Sequence, residues 1–81
     1  MSDYIITFFS HFGAMRYRKE AVHAGLNAVL MPVPRYLSSS CGTCVMIKGV
    51  DAPPPAPSHP DEAEMMVKLT GDETYIEVSF N

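Results

Sequence analysis

Pro60-Asp-Glu-Ala-Glu-Met-Met-Val-Lys-Leu-Thr70, followed by Gly71-Asp-Glu-Thr-Tyr-Ile-Glu-Val-Ser-Phe80, decides which fold this chain can take. Read as a helix, the stretch begins well. Pro60 suits the first helical position, and Asp61 and Glu62 complement the positive end of a helix dipole. Helical spacing then gathers Ala63, Met66, Val67 and Thr70 on one face. Read as a hairpin, Val67 to Ile76 turns at Gly71-Asp72. The proline and the acidic first turn favour the helix. A strand over 74–80 follows, with Ile76, Val78 and Phe80 alternating against Tyr75, Glu77 and Ser79.

The rest of the chain fits around that choice. Tyr4-Ile-Ile-Thr-Phe-Phe9 is a nearly continuous apolar run and reads as a strand buried on both faces. Ser10 is an N-cap candidate for the helix behind it. On that helix Ala14, Met15, Ala21, Val22, Gly25 and Leu26 share one side, and Arg16, Lys19, Glu20 and His23 the other. Arg18 falls within the apolar arc and reads as a snorkelling stem. Residues 28–33 form a second strand, which Pro32 sends to a sheet edge. Residues 34–42 are a loop, and 43–50 a third strand. The proline-rich segment 51–60 is an extended connection.

The order β-α-β-β-α-β predicts an α+β, ferredoxin-like two-layer sandwich with a four-stranded antiparallel sheet, order 4-1-3-2. Residues 1–81 make one small domain. Self-association as a homo-oligomer would help a core this small. The start of the third strand should lie at the same end of the sheet as Ser10 and His11, with the proline loop, His23 and His59 at the other end.

The formal charge is −3, and the basic residues Arg16, Arg18, Lys19, Arg35, Lys48 and Lys68 are scattered, which argues against a nucleic-acid partner. No apolar run approaches the roughly 20 residues of a membrane span, and the N-terminus lacks the basic start of a secretory signal. The expected location is the reducing cytoplasm.

There the two cysteines, Cys41 and Cys44, are expected to be reactive or metal-binding rather than a structural staple. The run Ser38-Ser-Ser-Cys-Gly-Thr-Cys44 places backbone N–H groups where they could form an anion-holding nest, with Gly42 permitting a tight turn. The helix N-terminus, Arg35 and His11 would favour a thiolate or persulfide anion. Cys41, Cys44, Ser10, His11, Arg35, Ser39, Ser40 and Gly42 are therefore the candidate site residues. Cys44, leading into Val45-Met-Ile47, equally suits a place in the core. Four zinc ligands are needed and C-x-x-C supplies two, so no metal site is assigned. No paired carboxylates, triad or cofactor loop marks an autonomous enzyme or a bound cofactor.

Met31-Pro-Val-Pro-Arg-Tyr-Leu-Ser-Ser-Ser-Cys-Gly42, preceded by the strand and helix described above, resembles a small bacterial family of selenium/sulfur carrier-like proteins. The resemblance runs continuously over about residues 4–50 and loosely over the final strand. It implies that Cys41 carries sulfur or selenium, with Arg35, Ser39 and Gly42 shaping its loop. Cys44 is then an extra resolving thiol or incidental. On this reading Cys41 receives the atom from a donor such as a cysteine desulfurase and passes it to an acceptor enzyme. The competing readings are a metal-binding or redox-sensing module using Cys41 and Cys44, and a small interaction domain with incidental cysteines.

Overall fold

The structure, a computed structural model, describes residues 1–80. Strand β1 (Ser2–Phe8) leads into helix α1 (His11–His23), then β2 (Asn27–Pro32) and β3 (Thr43–Val50). A three-residue 3-10 turn, Pro60–Glu62, precedes β4 (Ala63–Gly71) and β5 (Thr74–Val78). The strands form one antiparallel sheet in the order β2-β3-β1-β4-β5.

The ferredoxin-like sandwich is therefore not the fold. The sheet has five strands rather than four, and α1 is the only α-helix among the described residues. β2, β3 and β1 stand side by side as expected. The change lies at residues 63–71, which form a strand and not a second helix.

The physical reason is visible in the residues. Met65, Val67 and Leu69 recur at every second residue between Glu64, Met66, Lys68 and Thr70, a period of two, and a register shift at Phe8 puts Ala63 on the Met66 face. Extended geometry lets both faces work: Val67 is fully buried on one and Met66 almost fully on the other. Pairing with β1, with Ile5 opposite Val67 and Thr7 opposite Met65, also covers the open edge of the most apolar strand. Pro60, Asp61 and Glu62 do start a helical turn, but it stops at Ala63, whose φ of −95° and ψ of 138° are extended. β4 then turns back on β5 through Asp72 and Glu73, with Gly71 opposite Thr74.

The crossover from β3 to β4 is made by the proline-rich segment. It runs from Val50, at the Ser2 end of the sheet, to Ala63, opposite Phe8. Pro54 and Pro57 are buried, and the Tyr17 hydroxyl donates to the Pro55 carbonyl at 2.7 Å. Glu20 accepts from the Ser58 N–H at 3.1 Å and from its hydroxyl. His59 thus does not lie at the end away from Ser10. It meets Arg16, with Nη1 at 2.9 Å from its Nε2, and its carbonyl accepts from Glu62 N–H, one step from the Glu62 carbonyl that binds Phe9 N–H.

The sheet has a core on each face. On the helix side Tyr4, Ile6, Phe8, Val45, Ile47 and Met66 pack against Ala14, Tyr17 and Ala21. The small alanines bring α1 close, and the Phe8 and Tyr17 rings meet at 5.7 Å. Each large side chain fully buried here stabilises the fold by about 1.5–3 kcal/mol. The buried stripe is narrower than expected: Met15 and Val22 are 49% and 45% exposed. On the other face Ile5, Cys44, Val67 and Leu37 form a smaller core, edged by the half-buried Met31, Met46 and Met65. No helix covers that face; Leu37, from the β2–β3 loop, does.

Candidate functional site

Residues 33–42 form the loop between β2 and β3. Its base is closed by Val33 N–H donating to the Gly42 carbonyl at 3.0 Å, and Leu37 anchors its middle, 7% exposed. Gly42 has φ +75°, a backbone conformation that side chains other than glycine's disfavour.

The serines tie this loop across the end of the sheet. Ser39 Oγ contacts the Phe8 carbonyl at 3.3 Å and Glu64 Oε1 at 3.1 Å. Ser40 donates its N–H to Glu64 Oε1 and its hydroxyl to Glu64 Oε2, both at 2.8 Å. Burial works against the Glu64 charge, but the Ser40 N–H and the two serine hydroxyls prevail and hold its carboxyl below the usual range. The anion gathered by the loop's donors is thus the protein's own. The Ser40 N–H expected to line an anion nest is committed to Glu64.

Cys41 follows at once. Its side chain is half-buried, packs against the helix-side core, and its Sγ–H donates to the Thr43 carbonyl at 3.4 Å. Thr43 Oγ1 lies 3.1 Å from His11 Nδ1, so His11 comes within one residue's reach of the thiol loop. Ser10 caps α1 as expected, accepting from Gly13 N–H at 3.1 Å. Its role is to aim the helix start at this rim. A shallow hollow of about 270 Å³ opens beside it, lined by His11, Leu30, Met31, Pro32, Gly42 and Thr43.

Cys44 is a different kind of residue. It is fully buried in the core of the opposite face, and its Sγ lies 3.8 Å from the Pro32 carbonyl oxygen. Burial first, and the nearby Cys41 second, push its thiol up to about 11. Both cysteines are free thiols.

The structure therefore gathers Cys41, Gly42, Ser39 and Ser40, with His11 and Ser10 on the adjoining helix start. It leaves Cys44 in the core. Arg35 is exposed and its guanidinium pairs with nothing among the described residues. Glu64 and Thr43 were not among the expected site residues. The period-two pattern of 63–70 was the signal that could have brought Glu64 to the sheet end. Among the described residues no three His, Cys, Asp or Glu side chains come together as a metal site.

Cys41 is thus a half-buried thiol in a loop braced by Glu64 at one end of the sheet. The family described as "Putative Se/S carrier protein-like" matches residues 3–53, and the chain belongs to that family. The match covers β1, α1, β2, the thiol loop and β3, and stops before β4. Among curated proteins and among solved structures, nothing significant matches. No helix among the described residues is long and apolar enough to cross a membrane.

Proposed function

We propose that the protein carries a single sulfur or selenium atom on Cys41, as a persulfide or selenopersulfide, between a donor protein and an acceptor enzyme. The observation that carries this reading is the contrast between its thiols. Cys41 reaches solvent from a loop held by Glu64, whereas Cys44 is sealed in the core.

The transfer step balances without an external oxidant. The Cys41 thiolate attacks the outer sulfur of a donor persulfide, such as that of a cysteine desulfurase. One S–S bond forms at Cys41, the donor's S–S bond breaks, and the donor leaves as a thiolate. A nucleophile of the acceptor then takes the outer atom and Cys41 returns as a thiol. Outer selenium follows the same course. Cys44 has no part in delivery: its thiol stays protonated, and it faces the other layer.

A metal-binding or disulfide-sensing role has less support, because Cys44 would have to leave its core and no three ligating side chains gather among the described residues. A reducing compartment such as the cytoplasm suits the reading, since it keeps Cys41 free. Incubation with a cysteine desulfurase and cysteine, followed by intact-mass spectrometry, tests it. The expected result is one added sulfur atom. An unchanged mass, under conditions that load an established carrier, rejects it.

A further inference from the structure

Helix α1 carries a second apolar stripe, which faces away from the sheet. Phe12 is 64% exposed, Met15 49% and Val22 45%. Single exposed apolar residues are ordinary. These three, with Lys19, fall at helical spacing along one side, and Arg18 and His23 border them. Between this side and β2 lies a groove of about 340 Å³, lined by Met15, Arg18, Lys19, Val22, His23 and Leu30.

The groove shares one wall residue with the hollow beside the thiol loop. Leu30 also lines the hollow beside Gly42 and Thr43. At its other side Met15 and Lys19 line a further hollow of about 290 Å³ with Phe12 and Arg16. A segment lying along this track would end next to the Cys41 rim.

Charge narrows the occupant. Three of the chain's six Lys and Arg side chains lie in α1, although the formal charge is −3. The charges that could answer them are engaged elsewhere. Glu20 accepts from Ser58, and Glu62 pairs with Arg16 at 3.6 Å while that guanidinium lies over Phe12. Arg18 and Lys19 have no counter-charge among the described residues. An isologous contact with a second copy would set these cations against each other. An anionic membrane would repel the molecule as a whole, with two free cations to hold it.

We propose that this groove is the docking site for an acidic, amphipathic segment of the protein that donates to or collects from Cys41. Its apolar side chains fill the space between Met15, Val22 and Leu30, and its carboxylates meet Arg18 and Lys19. The partner's role rests on the carrier reading; the binding chemistry does not.

The test is an NMR titration of the ¹⁵N-labelled protein with a synthetic helical peptide. The peptide is about 14 residues long, with leucines spaced three and four apart and glutamates beside them. Shift changes are expected at Phe12 to His23 and at Leu30. Affinity should fall about tenfold or more in the exposed double variant R18E/K19E, which should instead bind the same peptide with lysines in place of glutamates. Cys41→Ser should bind like the wild type. Changes gathered elsewhere, no changes, equal binding of the lysine peptide by the wild type, or binding to phosphatidylserine vesicles in place of the peptide would each overturn the proposal. Sulfur loading is read separately by mass, so loss of the carrier reading and loss of the docking site give different results.

Discussion

Thr7 lies on β1 opposite Cys44, fully buried, with an Oγ1 that finds no hydrogen-bond partner among the described residues. A buried hydroxyl without a partner costs free energy that a methyl group does not. Thr7→Val should therefore stabilise the protein by about 1 kcal/mol, measured by urea unfolding. Cys44 beside it has its thiol raised to about 11, chiefly by burial, and Tyr17 on α1 is raised to about 12, by burial and then by Glu20. Both groups fold in their neutral form. Their contribution is fully present below the unfolded values of 9.0 and 10.0 and is lost as pH rises towards the folded ones. Stability should fall from about pH 9 upward, and Cys44→Ala should flatten the early part of that fall. Iodoacetamide near neutral pH should label Cys41 in the folded protein and Cys44 only after unfolding; peptide mapping reads this directly. The serine-glycine surroundings single out Cys41 in the sequence, and its thiol is half-buried in the β2–β3 loop. The burial of Cys44 followed from Val45-Met-Ile47 as one of two readings, and the sheet decided between them.

Two elements carry the difference between the expected and observed folds. The first is β4. Pro60, Asp61 and Glu62 are genuine helix-start signals, and they are spent on one 3-10 turn. Behind them the two-residue alternation of Glu64 to Thr70 prevails, because a strand there pairs β1 and buries both of its faces. The β4–β5 turn holds Glu73 at φ +60°. Glycine adopts that conformation without the steric cost that a side chain brings, so Glu73→Gly should stabilise the hairpin by about 0.5–1 kcal/mol; thermal or urea unfolding checks it. The second element is the serine loop, whose brace on β4 depends on the strand that replaces the expected helix over 61–70. The Glu64 carboxyl is held below its ordinary range by Ser40 and Ser39. Its contribution is present above that range and is lost as pH falls through the folded value. Glu64→Ala should cost about 1 kcal/mol and speed hydrogen exchange at the loop amides, Ser40 N–H above all, while α1 amides keep their protection.

At the scale of the whole molecule, the family match and the candidate site share one part of the chain. β1, α1, β2 and β3 were legible from hydrophobic runs, a cap and an edge proline, and they hold Ser10, His11 and Cys41 at one end of the sheet. β4 and β5 lie beyond the family match, yet Glu64 from β4 braces the thiol loop. The chain outside the matched region thus acts on the site through position rather than through a reactive group. What hydrophobic pattern could not supply was the outer side of α1. Met15 and Val22 read as core residues, but the alanine stripe beside them fills the space above the sheet. We propose that Cys41 alone carries the transferred atom. Tandem mass spectrometry of wild type, Cys41→Ser and Cys44→Ser after incubation with a cysteine desulfurase and cysteine tests it most directly. One added sulfur is expected on Cys41 in the wild type and in Cys44→Ser, and none in Cys41→Ser. Sulfur retained in Cys41→Ser, or lost in a folded Cys44→Ser, would contradict it.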